Sequence, residues 1–304
     1  MDRLEAMSIL VAAAEAGSLS GASRRLGTPL ATVSRKVSEL EAHLRTQLLN
    51  RSSRRLTLTD AGEAYLAACK RILDEVEEAE RAASGEYAVP RGELIITAPL
   101  VFGRLHVLPI VTSFLAAYPD IDIRLMLADR AVNLLEEHID VAVRIAELPD
   151  SSLVATRVGG IGHVVCASPA YLTARGTPQE PSELGSHDCI TFRGLMLPDA
   201  WTFTTGKSEA AVAIRSRLVV NTAEAAIDAA IAGTGIVRVL SYQIADAVRS
   251  GALSLLLRAF EPAPLPVNLV YASRSQVPLK LRAFLDFAAP RLRARLQGLA
   301  DAGL

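Results

Sequence analysis

The chain has 304 residues, half of them hydrophobic and 21% charged, which suits about two globular domains. That balance excludes a disordered or collagenous chain. A net charge of −1 gives no overall attraction to nucleic acid.

No apolar run approaches the ~20 residues that span a bilayer, so no membrane partner is expected. The opening Asp2-Arg3-Leu4-Glu5 lacks the apolar core of a secretory signal, and a cytoplasmic protein is expected. Cys69, Cys166 and Cys189 form no CxxC pair and read as reduced, buried thiols. A redox pair of Cys166 with Cys189 would require an approach that spacing alone does not show.

Charge is unevenly distributed. Arg24, Arg25, Arg35, Lys36, Arg45, Arg51, Arg54 and Arg55 face only Glu39 and Glu41 between residues 24 and 55. Residues 60–88 are strongly acidic. A basic block followed by an acidic helix assigns one segment to an anionic partner.

In chain order, apolar residues from Leu4 to Ala14 keep a helical period, and Gly17 ends that helix. Ser18 or Ser20 can cap a second helix that Gly27 closes. After Thr28-Pro29 a third helix runs to Arg45, with Val33, Val37, Leu40 and Leu44 on one face. Its outer side presents Leu30, Ala31, Thr32, Ser34, Arg35 and Lys36 near its start, where recognition helices touch bases and phosphates. Alternation around Leu56 and Leu58 suggests a strand, and Arg51, Arg54 and Arg55 suggest a basic β-wing along a phosphate backbone. A solvated basic loop is the competing reading of the wing alone.

From Asp60 to about Tyr87 one long helix is expected, with Leu66, Cys69, Leu73, Val76 and Ala83 as a short seam broken by Glu80. Thr59 or Asp60 can cap its start, and Pro90 stops it. A helix with one apolar stripe needs a partner, either this chain's own C-terminal domain or another copy of the helix.

The remainder reads as alternating strands and helices, an α/β domain with a mainly parallel sheet. Strands are expected at Gly92–Ala98, Ile121–Leu127, Ile139–Ile145, Ile161–Ala167, Val212–Val220, Ile236–Leu240 and Val267–Ala272. Helices are expected at 104–117, 133–137, 169–175, 223–232 and from Leu279 onward. The order gives two lobes: residues 90–164 with 267–304, and residues 165–266. Ligands in such folds sit at strand carboxyl ends beside helix N-termini. That placement nominates Thr97, Pro99, Leu100, Val101 and Phe102, with Asp129, Arg144, Asn221 and Thr222. Amides after Pro99 would hold a polar group, and the following apolar side chains would wall it.

Gly233-Thr234-Gly235 reads as a helix stop, Gly159-Gly160-Ile161-Gly162 as a turn, and Trp201 with Phe203 as core. His43, His106, His138, His163 and His187 show no metal-ligand spacing, and no nucleophile-base motif is present. Neither a metal, a cofactor nor an enzyme is expected. A ligand-binding module with a vestigial DNA domain is the competing reading.

Ser18-Leu19-Ser20-Gly21-Ala22-Ser23-Arg24-Arg25-Leu26, then Val33 to Glu41, Leu49-Asn50-Arg51 and Leu58-Thr59-Asp60-Ala61-Gly62 resemble the N-terminus of LysR-type transcriptional regulators. The resemblance implies a winged helix-turn-helix over residues 1–59, a dimerising linker helix over 60–89, and a periplasmic-binding-protein-like, two-lobed effector domain over 90–304. It also implies double-stranded DNA, a small-molecule effector between the lobes, self-association as a homodimer or homotetramer, and RNA polymerase as partners. Three departures stand out. Leu30-Ala31 replaces a common Gln-Pro, the loop after the first long strand lacks the usual Ser or Thr, and Arg238, which the resemblance places near the cleft edge as a further effector residue, follows Gly235-Ile236-Val237 where members often have Leu-Pro.

Overall fold

The computed structural model describes residues 2–50, 56–84, 89–130, 132–149, 152–192, 200–205, 208–273 and 277–303. They form two compact units, Met1–Val89 and Pro90–Leu304.

The first unit opens with α1 (Arg3–Glu15), α2 (Leu19–Leu26) and α3 (Leu30–Leu44). Asp2 caps α1, accepting the Leu4 and Glu5 amides, and Ser18 caps α2, accepting the Gly21 amide at 3.0 Å. Gly27 ends α2 at φ +62°, a conformation that costs most other residues. The Ser23 hydroxyl donates to the Thr28 carbonyl at 2.7 Å and fixes the turn into α3. Ile9, Leu10, Ala22, Val33, Val37 and Leu40 close the core between the three helices. Strands β1 (Leu49–Asn50) and β2 (Thr57–Leu58) then pair antiparallel. The long helix α4 (Asp60–Ser84) begins against them: a Cβ on Gly62 would lie 2.0 Å from the Leu48 carbonyl oxygen, so only glycine admits that approach. Tyr65, Leu66 and Cys69 of its first turns pack into the three-helix core.

The second unit holds two five-stranded sheets. The first contains β3 (Gly92–Ala98), β4 (Ile121–Leu127), β5 (Val141–Ile145), β6 (Leu153–Ile161) and β14 (Leu265–Ala272), in the order β4-β3-β5-β14-β6. The second contains β7 (His163–Ala167), β8 (Asp188–Phe192), β11 (Arg215–Val220), β12 (Ile236–Leu240) and β13 (Ser254–Leu256), in the order β11-β8-β12-β7-β13. A hairpin of β9 (Ala200–Thr205) and β10 (Ser208–Ala213) covers one face of this second sheet. The chain crosses between sheets at Gly162 and returns before Leu265.

Helical residues around the first sheet are α5 (Leu100–Phe102), a π turn (Gly103–Val107), α6 (Leu108–Ala117) and α10 (Leu279–Asp301). The second sheet carries α7 (Pro169–Arg175), α8 (Ala223–Ile231) and α9 (Ala245–Arg249). Phe102, Phe114, Phe284, Leu292 and Leu296 fill the core between the first sheet and its helices.

Several sequence expectations are corrected. Both sheets are mixed: β14 runs antiparallel to β5 and β6, and β7 antiparallel to β12 and β13. Helix starts at Leu100 rather than 104, because Pro99 presets the entry conformation and the Gly103 amide already reaches the Pro99 carbonyl. Residues 133–137 form turns, not a helix: the Asn133 side chain accepts the Leu135 and Glu136 amides, and His138 turns left-handed at φ +55°. Gly159, Gly160 and Ile161 lie inside β6 rather than in a turn, paired with Val267, Pro266 and Leu265 respectively. The expected strand at Val212–Val220 is divided between β10 and β11, separated at Ile214. His163 and Val164 belong to the second sheet and Leu265 and Pro266 to the first, one or two residues beyond the expected lobe borders.

One stretch, Leu100–Ala117, is long and apolar enough by composition to cross a membrane, against the expectation that none comes near. Here its Val101, Phe102, Val107, Ile110, Val111 and Phe114 are buried in the first-sheet core.

Candidate functional site

The first unit presents the start of α3. Val33, Val37 and Leu40 anchor its inner face, leaving Leu30 and Ala31 exposed and Thr32 and Ser34 half-buried at the rim. Leu30 is 48% exposed, an apolar side chain with no core to enter. Arg35 points outward and meets Glu39 at 2.6 Å, an exposed i,i+4 pair that a phosphate can displace at small cost. Lys36 behaves differently. It is 14% exposed and bridges to Glu5 on α1, so it ties two helices together instead of facing outward. Ser20 is exposed, its hydroxyl 3.5 Å from that of Ser18. Arg51, Arg54 and Arg55 lie outside the described residues.

The base of the wing depends on Glu41, which the sequence reading counted only as a charge. Its buried carboxylate accepts the Leu48 and Leu49 amides at 2.9 and 3.1 Å. Asn50 donates to the Leu58 carbonyl at 3.1 Å, and the Thr59 hydroxyl donates to the Gln47 carbonyl at 2.7 Å. Thr59 Oγ1 also accepts the Gly62 amide at 3.0 Å, capping α4. Glu15 holds Arg25 and Lys70 together; burial opposes its ionisation, but the two cations win and keep its carboxyl below the usual range.

In the second unit, the residues nominated after β3 divide into two groups. Thr97 is 1% exposed and donates to the Met126 carbonyl at 3.0 Å, so its hydroxyl proton is already spent. Val101 and Phe102 are core residues rather than a cleft wall, since α5 turns them inward onto the first-sheet core. Pro99 is half-buried and Leu100 exposed. The Leu100 amide, expected to meet a ligand, instead donates to Asp129 at 2.9 Å. Arg144 is half-buried and donates to the Val132 carbonyl at 3.1 Å. Asn221 is exposed, and Thr222 caps α8 by accepting the Ala225 amide at 3.3 Å.

The two lobes meet at Tyr242, which the sequence reading missed. Tyr242 follows β12 of the second sheet yet packs into the core of the first. Its ring stands edge-on to Phe102 at 5.3 Å and to His106 at 5.5 Å. Burial pushes its hydroxyl up, with the charges of Asp129 and Glu224 adding to the shift; the Phe102 backbone amide opposes it. The starts of α5 and α8 therefore converge with Asp129 on one phenol. Burial and then the Arg295 charge push His106 down to about 4, keeping its imidazole neutral. Arg238 lies on β12, half-buried, with its guanidinium 5.8 Å from the Phe203 ring centroid.

The cysteines are all buried and free. Cys166 and Cys189 sit on β7 and β8, which flank β12, so two interstrand spacings of ~4.8 Å separate them, beyond disulfide reach. Among the described residues, no group of acidic, His or Cys side chains could hold a metal.

Comparison with known proteins places both units. Residues 4–63 match the family described as bacterial regulatory helix-turn-helix protein, lysR family, and residues 88–293 match the LysR substrate binding domain. An HTH-type transcriptional regulator of Xanthomonas campestris is 35% identical over 93% of this chain and 84% of its own. The transcriptional activator AaeR of Escherichia coli is 30% identical over 94% and 93%. The solved structure of CrgA, a LysR-type transcriptional regulator from Neisseria meningitidis, is 32% identical, covers 95% of this chain and 98% of that one, and aligns with a TM-score of 0.61. The full-length Vibrio cholerae virulence activator AphB is 28% identical, with a TM-score of 0.60 over 94% and 98%.

Proposed function

Because this chain belongs to the LysR family of transcriptional regulators, with a DNA-binding helix-turn-helix and an effector-binding domain, we propose that it reads an operator through the first turns of α3. The exposed run Leu30-Ala31 followed by Thr32, Ser34 and Arg35 is the observation that carries this reading. Leu30 and Ala31 offer apolar contact to thymine methyls in place of a bidentate amide, and Arg35 offers a phosphate or guanine contact. Ser18 and Ser20 at the start of α2 face the same backbone, and Arg51, Arg54 and Arg55 follow it from the wing.

Among the described side chains in the second half of α4, Leu73 and Val76 are only half-buried, and Ile72 is exposed. A second copy of the same helix covers that stripe, giving a homodimer or homotetramer that matches a two-fold operator. The effector sits between the lobes, around Asp129, Tyr242, Asn221, Thr222, Arg144 and Arg238, and shifts a pre-existing equilibrium between lobe arrangements. The assembly acts on promoter-bound RNA polymerase in the cytoplasm, and needs no metal or cofactor.

The test is fluorescence anisotropy on the duplex upstream of the protein's own gene against a scrambled duplex, over a salt series. A preference of at least ~1000-fold, falling as salt rises, is expected. Equal weak affinity for both duplexes, and no enriched sequence in selection from random DNA, would overturn the reading.

A further inference from the structure

We infer that Arg238 makes this regulator selective for a carboxylate-bearing effector, receiving the anion on the second-lobe wall of the cleft. This rests on the effector-cleft reading above.

The argument starts from how arginines are treated elsewhere in the same lobe. Arg175, Arg215 and Arg217 surround the buried Asp188, Arg249 pairs with Asp246, and Arg258 pairs with Glu261. Among the described residues from His163 to Pro264, Arg238 alone has no carboxylate partner, although it is half-buried and those partnered arginines are exposed. Its guanidinium is destabilised by burial, with no acid to compensate. A guanidinium withdrawn from water without a counter-ion is costly, and an arriving anion recovers that cost.

The surroundings fit a ligand with a planar or apolar body. The Phe203 ring supports the guanidinium, leaving the N–H fork to meet a carboxylate side-on. His163 pairs with Leu240 on the neighbouring strand, and burial together with the Arg238 charge pushes it down to about 4. It is therefore neutral at physiological pH and supplies no competing charge. Leu240 shares a strand face with Arg238, two residues on, and packs against the core of the first lobe. Arg238 thus stands one pleat from the junction of the lobes. The helix start at Leu100 is closed to an anion because Asp129 occupies its first amide, and Arg144 already donates to the Val132 carbonyl with the Glu137 charge nearby. Among the described residues, this leaves Arg238 as the cleft cation with neither a carbonyl nor a carboxylate partner.

The chain's single tryptophan, Trp201, lies two residues from Phe203 on the same strand and reports on this wall. The experiment titrates the full-length protein with hexanoate and with benzoate, each against its primary amide, following Trp201 emission. At least one acid gives a saturable change with an affinity at least ~10-fold above its amide, as for a hydrogen-bonded charge pair. Arg238→Gln brings acid and amide within about twofold of each other, and Arg238→Lys, which keeps charge but not the fork, lies between. Thermal unfolding establishes that each variant is folded; if Arg238→Gln is not, Arg238→Lys decides. No preference for either acid in the wild type, or an undiminished preference in the variants, overturns the proposal. Operator binding measured separately distinguishes that failure from failure of the regulator reading.

Discussion

Asp129 accepts the Leu100 backbone N–H at 2.9 Å, so a side chain from the end of β4 closes the helix start that follows β3. An unoccupied helix N-terminus attracts anions. In this chain the first amide is satisfied internally, and the charge of the same carboxylate adds to burial in raising the hydroxyl of Tyr242, the residue at which the lobes meet. One acid therefore both caps a helix and bears on the inter-lobe contact.

Replacing Asp129 by alanine removes the cap and destabilises the regulatory unit by about 1 kcal/mol, the usual value for removal of an N-terminal side-chain acceptor. Asparagine keeps an acceptor and recovers most of it. Urea unfolding followed by Trp201 emission measures both, and an alanine variant as stable as wild type would show that the bond carries no weight.

Glu41→Ala leaves the Leu48 and Leu49 amides without their buried acceptor, at a cost of roughly 1–3 kcal/mol. Since these amides lie at the foot of β1, operator affinity falls even in variants that remain folded at low temperature. Glu41→Gln, which retains one oxygen, is expected to rescue both. Circular dichroism and operator anisotropy on the same samples separate folding from binding.

Asp188 gives a pH dependence whose sign follows from its partners. Hydrogen bonds from Arg175 and then Arg217 hold its carboxyl below the usual aspartate range. The folded value lies below the unfolded one, so the contribution is fully present above the unfolded pKa of about 3.9 and is lost as pH falls through the folded value. Melting temperatures of wild type and Asp188→Asn should therefore converge on acidification below about pH 4. A constant gap across that window would count against the pairing.

Burial raises the Cys166 and Cys189 thiols to about 12 and Cys69 to about 11. A thiolate is the reactive form. None of the three should react with a disulfide reagent in the native protein, and all three should react once it is unfolded. Rapid native formation of a Cys166–Cys189 bond would contradict their separation across β12.

What could be read from sequence was whatever local chemistry decides. Gly27, the Ser18 cap and the Val33-Val37-Leu40 face specify the three-helix unit without reference to distant residues. β6 and β8 escaped because their neighbours, β14, and β11 with β12, are brought by the chain's return and give no local period. The cleft failed for the same reason. Thr97, Val101 and Phe102 were placed by distance along the chain from β3, whereas burial against β4 and α10 decides where their side chains point. Tyr242 and Glu41 act through partners remote or irregular in sequence, so no spacing marked them.

Lys36 and Arg35 are neighbours in sequence with opposite fates, and salt dependence separates them. Removing one phosphate-binding cation reduces the slope of log affinity against log salt by about 0.9. Arg35→Ala should weaken operator binding and lower the slope by about that amount, because its partner Glu39 lies on the exposed face and yields easily. Lys36→Met should leave the slope unchanged, since its ammonium already belongs to Glu5. Its effect appears in stability, where the tie between α1 and α3 is broken. The double variant Glu5→Met with Lys36→Met provides the control: with no carboxylate left unpaired, it should be at least as stable as Lys36→Met alone. A slope that drops for Lys36→Met as far as for Arg35→Ala would place Lys36 on the DNA and break the assignment.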